Sequence, residues 1–501
     1  MRIKHFTVLC VALSCVTFTN GQVKDAFNGA RQNVGGGSAS AFNQNRVGNF
    51  NDYRQKLNAE YVSKTRERWK DFNSFRGLTL PDRDAKPVSP ISMSDEDARR
   101  DKQDNLLNID GSVTPIRDNR STSPIAPIQE VPDNNPQSLT FSYLGTSLQV
   151  RKPQGGGGVS LSGTSENAVA DAWERLSDSR FNNTIVDCIK LRSSMKLCDW
   201  AYLMMLQALA GSYCGQGTND ATLLMAYIFS QSGYKMRLGQ ASGRLHMLYA
   251  SQHNVYNTPY YNCDGEKFFA MTKDAGQIQI NAARYPKEQS LSLWVANEPQ
   301  VAFAASPARM LTSKRYPEMS VQVSENRNLL SFFNSYPTSE VGGNFMTRWA
   351  MYANTPICHE TQSELYPQLR RGISGCSQLD AVERLLNWVQ TAFVYEYDDK
   401  VWGGDRAFFP DETLYYPYCD CEDRSILFTR LVRDLLGLKC ILIYYPGHLA
   451  SAVCFTDRVV GDYINVNGSR YVVCDPTYIG ASVGHTMPDM DNASAKVIVL
   501  P

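Results

Sequence analysis

Three residues in the last quarter of the 501-residue chain, Cys421, His448 and Asp475, are of the types that nucleophilic attack on a carbonyl requires. A thiol attacks well only as thiolate, so an imidazole must take its proton and later return it to a leaving amine. A carboxylate behind the ring fixes its tautomer and stabilises the imidazolium. A backbone N–H at a helix start can help hold the oxyanion.

The elements around these residues are spaced so as to bring them to one end of a layer. Phe428, Leu431, Val432, Leu435 and Leu436 fall on one apolar helical face, and Gly437 stands where a C-cap glycine belongs. Cys421 therefore lies at a helix N-terminus, where free amides and the helix dipole favour a thiolate. Asp420, Glu422 and Asp423 oppose that if ionised, and are suited to capping the helix instead. A helix over 424–436 rises on the order of 20 Å. The β-rich run Lys439 to Tyr444 travels back about 20 Å. Pro446-Gly447 turns the chain, and His448 opens the next strand level with Cys421. That strand, Ala450 to Phe455, leaves again. Asn467-Gly468 is a hairpin signal, and Tyr471 to Cys474 returns to deliver Asp475 beside His448.

These motifs, Asp420-Cys421-Glu422-Asp423 at a helix start, Leu436-Gly437-Leu438, His448-Leu449-Ala450 opening a strand and Asp475-Pro476-Thr477-Tyr478 ending one, resemble the transglutaminase-like superfamily. The stretch Ala381 to Asp398, with Trp388-Val389 and Tyr395, is similar to the helix preceding that family's nucleophile. The likeness covers residues 376–485. It implies an α+β fold with a papain-like core, the nucleophile's helix packed on an antiparallel sheet, and a thioester formed at an amide carbonyl. Resolution by an amine gives crosslinking; resolution by water gives a peptidase or amidase. Ala450 departs from the tryptophan common after the histidine, and Cys419 from a frequent glycine, which bears on substrate class.

Other chemistry is open to the same residues. Cys421 could pair with Cys419 or Cys474 in a disulfide. Cys, His and Asp together could bind zinc, but Cys419 and Cys421 are one residue apart, where zinc pairs are usually separated by two to four. No metal or cofactor is expected. His485 reads as a loop residue, and Trp402, Tyr397 and Gln390 are candidate oxyanion partners. A non-catalytic envelope module that keeps the fold for binding is the alternative to an enzyme.

The N-terminus reads as an export signal over 1–21, with Arg2, Lys4 and His5 before an apolar stretch from Phe6 to Val16. Ala12-Leu13-Ser14-Cys15 loosely resembles a lipidation site, its leucine one place too close. Export to the periplasm or cell surface follows, with a polypeptide or amide substrate in the cell envelope. Past the leader, 11 of the 13 cysteines remain, enough for five disulfides and one thiol, or a set of buried reduced thiols. Lys+Arg and Asp+Glu both number 50, so nothing favours nucleic acid or an anionic membrane as partner. No stretch of the mature chain approaches the roughly 20 apolar residues of a transmembrane segment.

Residues 22–137 read as a Gly/Ser/Asn-rich tether to residue 49, an amphipathic helix, then a Pro-rich linker over 81–136. The helix is marked by Phe50, Tyr53, Leu57, Tyr61, Trp69, Phe72 and Phe75. An N-terminal α+β domain follows over 138–285, an intermediate region with strands such as Leu291 to Val295 and Ser320 to Val323 over 286–370, and the catalytic domain over 371–501. Residues 200–270 faintly echo the catalytic pattern: placing Gly233 on Gly437 puts Gly217 on Cys421, with His246 following. This reads either as a degenerate second copy without a nucleophile or as an ordinary helical domain with a glycine cap.

Overall fold

Two seven-stranded, mainly antiparallel sheets organise the protein, each curled into a half-barrel against helices. The computed structural model describes residues 39–72, 75–77, 87–99, 101–114, 122–156, 158–272 and 276–500. The expected leader, and the expected tether as far as residue 38, lie outside the described residues. Residues 54–501 form one compact unit. No helix among the described residues is long and apolar enough to cross a membrane.

The second sheet runs in the order Asn105–Leu106, Asp462–Val466, Ser469–Cys474, His448–Cys454, Lys439–Tyr445, Lys496–Val499, Ser112–Val113. Its central strands are apolar on both faces because both are covered. Cys440, Leu442 and Val453 join the main core, whereas Ile441, Ile443, Ala452 and Val473 line the inside of the curl. The first sheet runs Lys70–Phe72, Ile278–Ile280, Met236–Ala241, Arg244–Ala250, Glu266–Ala270, Thr258–Cys263, Phe75–Gly77.

With one order read in reverse, the five inner strands follow the same path in both sheets, whereas the outer strands pair antiparallel in the first and parallel in the second. Each sheet is entered from a helix, Asn219–Gln231 in one and Cys421–Leu436 in the other, through a glycine at positive φ, Gly233 and Gly437. Each rests on a helix pair carrying a two-stranded hairpin. In the first half Thr184 Oγ1 donates to Arg151 O (2.7 Å), tying hairpin Ser138–Tyr143/Thr146–Arg151 to helix Asn182–Ser194. In the second, Trp388 Nε1 donates to Leu311 O (3.1 Å), tying hairpin Arg309–Thr312/Ser320–Val323 to helix Gln378–Ala392.

The N-terminal segments differ from the expected helix and linker. The helix spans Ala39–Thr65, so it begins inside the Gly/Ser/Asn-rich stretch and stops before Trp69. Leu57 and Tyr61 are buried, Tyr61 stacking between Trp173 (4.5 Å) and Tyr285 (4.6 Å). Phe72 and Phe75 instead belong to edge strands of the first sheet, where their spacing coincides with a helical period by chance. The Pro-rich stretch lies against the second sheet from residue 87 to 113, supplying both of its edge strands. Leu291 to Val295 makes only an isolated bridge to Ser251, because the Ser292 N–H is taken by the Asp199 side chain (3.0 Å).

Candidate active site

The helix that begins at Cys421 is held by the acids around it. Asp420 is the N-cap, accepting from Glu422 N (3.1 Å), and Asp423 completes a capping box by accepting from Asp420 N (3.1 Å). Asp423 also takes Phe408 N (2.8 Å). Burial, and then the neighbouring Asp420, push its carboxyl well above the usual range, which favours the neutral form beside the thiol. One turn along the helix, Ser425 Oγ donates to Leu449 O (2.8 Å). This bond fastens the first turn of the helix to the start of the strand that His448 opens.

His448 and Asp475 meet. The ring Nε2 lies 2.8 Å from Asp475 Oδ2, and the carboxylate can only accept, so Nε2 carries the proton. The other nitrogen, Nδ1, is buried and has no hydrogen-bonding partner among the described residues. Asp475 Oδ1 accepts from Thr477 N (2.8 Å) and Tyr478 N (3.3 Å), so the Asp-Pro-Thr-Tyr turn sets the carboxylate's direction. Exposure is 4% at Cys421, 2% at His448 and 3% at Asp475, so the group is closed to solvent.

Two buried side chains hold this layer in place, and only one was singled out by sequence, for another role. Gln390 donates from Nε2 to the carbonyls of Asp475 (3.1 Å), Tyr478 (2.8 Å) and Ala481 (3.0 Å), and accepts from Gly480 N (3.2 Å). Its amide is consumed by the loop behind Asp475, so it is a positioning residue and not an oxyanion donor. Arg424 donates to the carbonyls of Gln390 (3.2 Å) and Phe393 (3.0 Å), and its guanidinium sits 5.3 Å from the Tyr395 ring. No sequence signal marked it beyond an arginine inside an apolar helix. Of the other oxyanion candidates, the Tyr397 hydroxyl bonds Ser89, and Trp402 packs between Phe408, Tyr416 and Arg406.

No protein-family model, curated protein or solved structure matches this chain. The first half of the molecule therefore supplies the comparison. In both halves the residue eleven past the helix-closing glycine, His448 after Gly437 and Arg244 after Gly233, follows a two-residue turn and opens the second strand. The counterpart of His448 is thus Arg244, not His246. Met271 N bonds Met247 O (3.2 Å) where Cys474 pairs with Ser451, so Thr272 takes the place of Asp475. Arg244 Nη2 donates to Gly217 O (3.2 Å), and Gly217 is the residue aligned with Cys421. Gly217 stands just before the helix's N-cap Thr218, so in the first half the approach to the helix meets the strand start, and neither residue is a nucleophile or a base.

All eleven cysteines among the described residues are free thiols, so Cys421 is bridged to neither Cys419 nor Cys474. Carboxylates cluster beside the site, Asp398 with Asp405 and Glu422, and Asp398 with Asp420 and Asp423, each set within 4.8 Å. Protein groups already use them: Arg348 lies 2.6 Å from Asp405 and 3.7 Å from Glu422, and Arg406 N donates to Asp398 (2.7 Å). His485 is a half-buried loop residue beside Ser482 (3.2 Å).

Proposed function

We propose that the protein catalyses cysteine-dependent acyl transfer at an amide carbonyl, with Cys421 as nucleophile, His448 as base and Asp475 as orienting acid on a transglutaminase-like, papain-like core. The observation that carries this reading is the His448 ring, bonded to Asp475 through Nε2 and left with an unpartnered, buried Nδ1 in the layer where Cys421 begins its helix. The helix terminus alone is worth about 0.3–1 kcal/mol to a thiolate, less than one pKa unit, so the imidazole must do most of the activation.

Thiolate attack forms the thioester as the imidazolium protonates the departing amine. A second amine then gives a new amide, or water gives the acid, and the thiol is regenerated. An envelope polypeptide is the proposed substrate, and export of the chain is part of the proposal. A binding module is the second reading, favoured by the first half, which keeps the same path with Gly217, Arg244 and Thr272 at the three positions.

The deciding measurement is the pH profile of iodoacetamide alkylation at Cys421, followed by peptide mass mapping. A thiolate–imidazolium pair reacts on a plateau extending well below the ordinary thiol range near pH 8.5. His448→Ala should return Cys421 to an ordinary thiol profile. Coincident profiles in the two proteins would sink the enzymatic reading.

A further inference from the structure

One segment runs along the elements that carry the triad. Residues 87–93, Pro-Val-Ser-Pro-Ile-Ser-Met, have no regular secondary structure apart from a parallel bridge between Ser92 and Ile479. Val88 N donates to Gly447 O (3.0 Å), the carbonyl just before His448. The Tyr395 hydroxyl donates to Val88 O (3.4 Å), and Tyr395 pairs in a parallel strand with Cys419, two residues before Cys421. Ser89 and Tyr397 share a short hydrogen bond. Past Asp475, Met93 N donates to Ile479 O (2.9 Å) and Ile479 N to Ile91 O (2.9 Å), one rung of a parallel ladder. The side chains of Val88 and Met93 pack beside Tyr478 and Met487.

The segment is thus held chiefly through its backbone, at points flanking His448, Cys421 and Asp475 in turn. Backbone recognition by strand addition is indifferent to side-chain sequence, so any extended chain could make the same bonds. Pro87 and Pro90 keep the segment from folding into helix. It contains no glutamine, asparagine or lysine, so it offers neither a side-chain amide as acyl donor nor an amine as acceptor.

We propose that residues 87–93 are an internal strap occupying a channel for an extended polypeptide, and that the triad becomes reachable when the strap leaves. The proposal rests on Cys421, His448 and Asp475 being the catalytic group, and its test reads accessibility separately from chemistry.

In the full chain, Val88→Pro and Met93→Pro together remove the N–H donors to Gly447 and Ile479. Alkylation of Cys421 should accelerate at least tenfold at every pH, while Cys188, deep in the first half, stays unreactive. A synthetic peptide of residues 87–97 added to that variant should restore protection, and the same peptide with proline at the Val88 and Met93 positions, lacking both N–H donors, should not. If Cys188 becomes reactive, the fold has been lost; Ser89→Ala with Tyr397→Phe, which cuts one side-chain tie, then carries the test with an expected two- to threefold acceleration. Unchanged Cys421 rates in a folded variant overturn the strap, and failure of the peptide to protect overturns the channel. An accelerated rate with an ordinary thiol pH profile would keep the strap and reject the catalytic reading.

Discussion

Because His448 gives Nε2 to Asp475 and leaves Nδ1 without a partner, the three residues should fail in a definite order. Cys421→Ala should abolish acyl transfer, since no other group forms the thioester. His448→Ala should be nearly as damaging, because nucleophile and base fail as one and their losses do not add. Asp475→Asn should cost less, on the order of 10⁴-fold in kcat, because an amide can hold the ring but cannot stabilise the imidazolium. Cys419→Ser should leave activity near wild type. Steady-state kinetics on any amide substrate, beside melting curves, checks the series. A separate pair of residues predicts a pH effect on stability. Glu325 and Asp411 are buried together, Thr361 Oγ1 donating to Glu325 Oε2 (2.8 Å) and Cys358 N to Asp411 Oδ1 (2.9 Å). Burial raises both carboxyls, Asp411 to about 7 and Glu325 well above its ordinary range, the latter also through Asp411. A raised carboxyl contributes stability that is fully present below its unfolded value near 4 and lost as pH rises through its folded value. Melting temperature should therefore fall between about pH 4 and pH 7, and Asp411→Asn should flatten that fall. The places of Cys421, His448 and Asp475 were legible in sequence because each sits at a punctuation mark: a helix start, a turn exit, a strand end. Gln390 was noticed but misread, since nothing in a linear sequence says that an amide will be spent on three carbonyls 85 to 91 residues away.

The helices and strands differ in how plainly they announced themselves. Cys421–Leu436 was readable because one apolar face and a capping glycine agree. The strand Lys439–Tyr445 was readable from β-branched and aromatic content, not alternation, since both its faces are covered. Residues 50–75 misled because aromatic spacing continued past the helix end at Thr65 into two edge strands. The paired helix caps test whether equivalent elements bear equivalent loads. Gly437 has φ 67° and open space where a Cβ would go, so Gly437→Ala should cost about 1 kcal/mol. At Gly233, φ 102°, a Cβ would lie 1.9 Å from the Ser123 carbonyl oxygen, so Gly233→Ala should cost more than about 3 kcal/mol. Urea titration separates the two, and equal losses would contradict the packing of residues 122–123 on that cap. Gln390→Leu should lose about 2–4 kcal/mol by orphaning buried carbonyls.

At the scale of the molecule, the same strand order in two sheets is the feature the amino-acid sequence showed least. Glycines 233 and 437 aligned, but the residues at the other positions differ, and the counterparts emerged from register: Arg244 opening a strand, Thr272 following one. The segment 87–113 was read as linker because short, polar, proline-rich edge strands carry no hydrophobic period. Brief digestion of the native protein should therefore spare that segment, and early cleavage within 101–113 would contradict its pairing. Because the eleven cysteines are unbridged, a chain of residues 22–501 unfolded without reductant should titrate eleven thiols with Ellman's reagent. The edge strands also bear on how the chain reaches this state. Asn105 pairs beside Asp462, Asp104 binds Arg470 366 positions later, and Lys496 Nζ reaches the Asp110 carbonyl across 386. Contacts closed over such distances form late and slowly. During synthesis the early strands must wait, unpaired, for a sheet that does not yet exist, and the sheet's own edges stay open to other chains until they arrive. Refolding should accordingly be slow and concentration-sensitive, its last phase being the capture of residues 105–113.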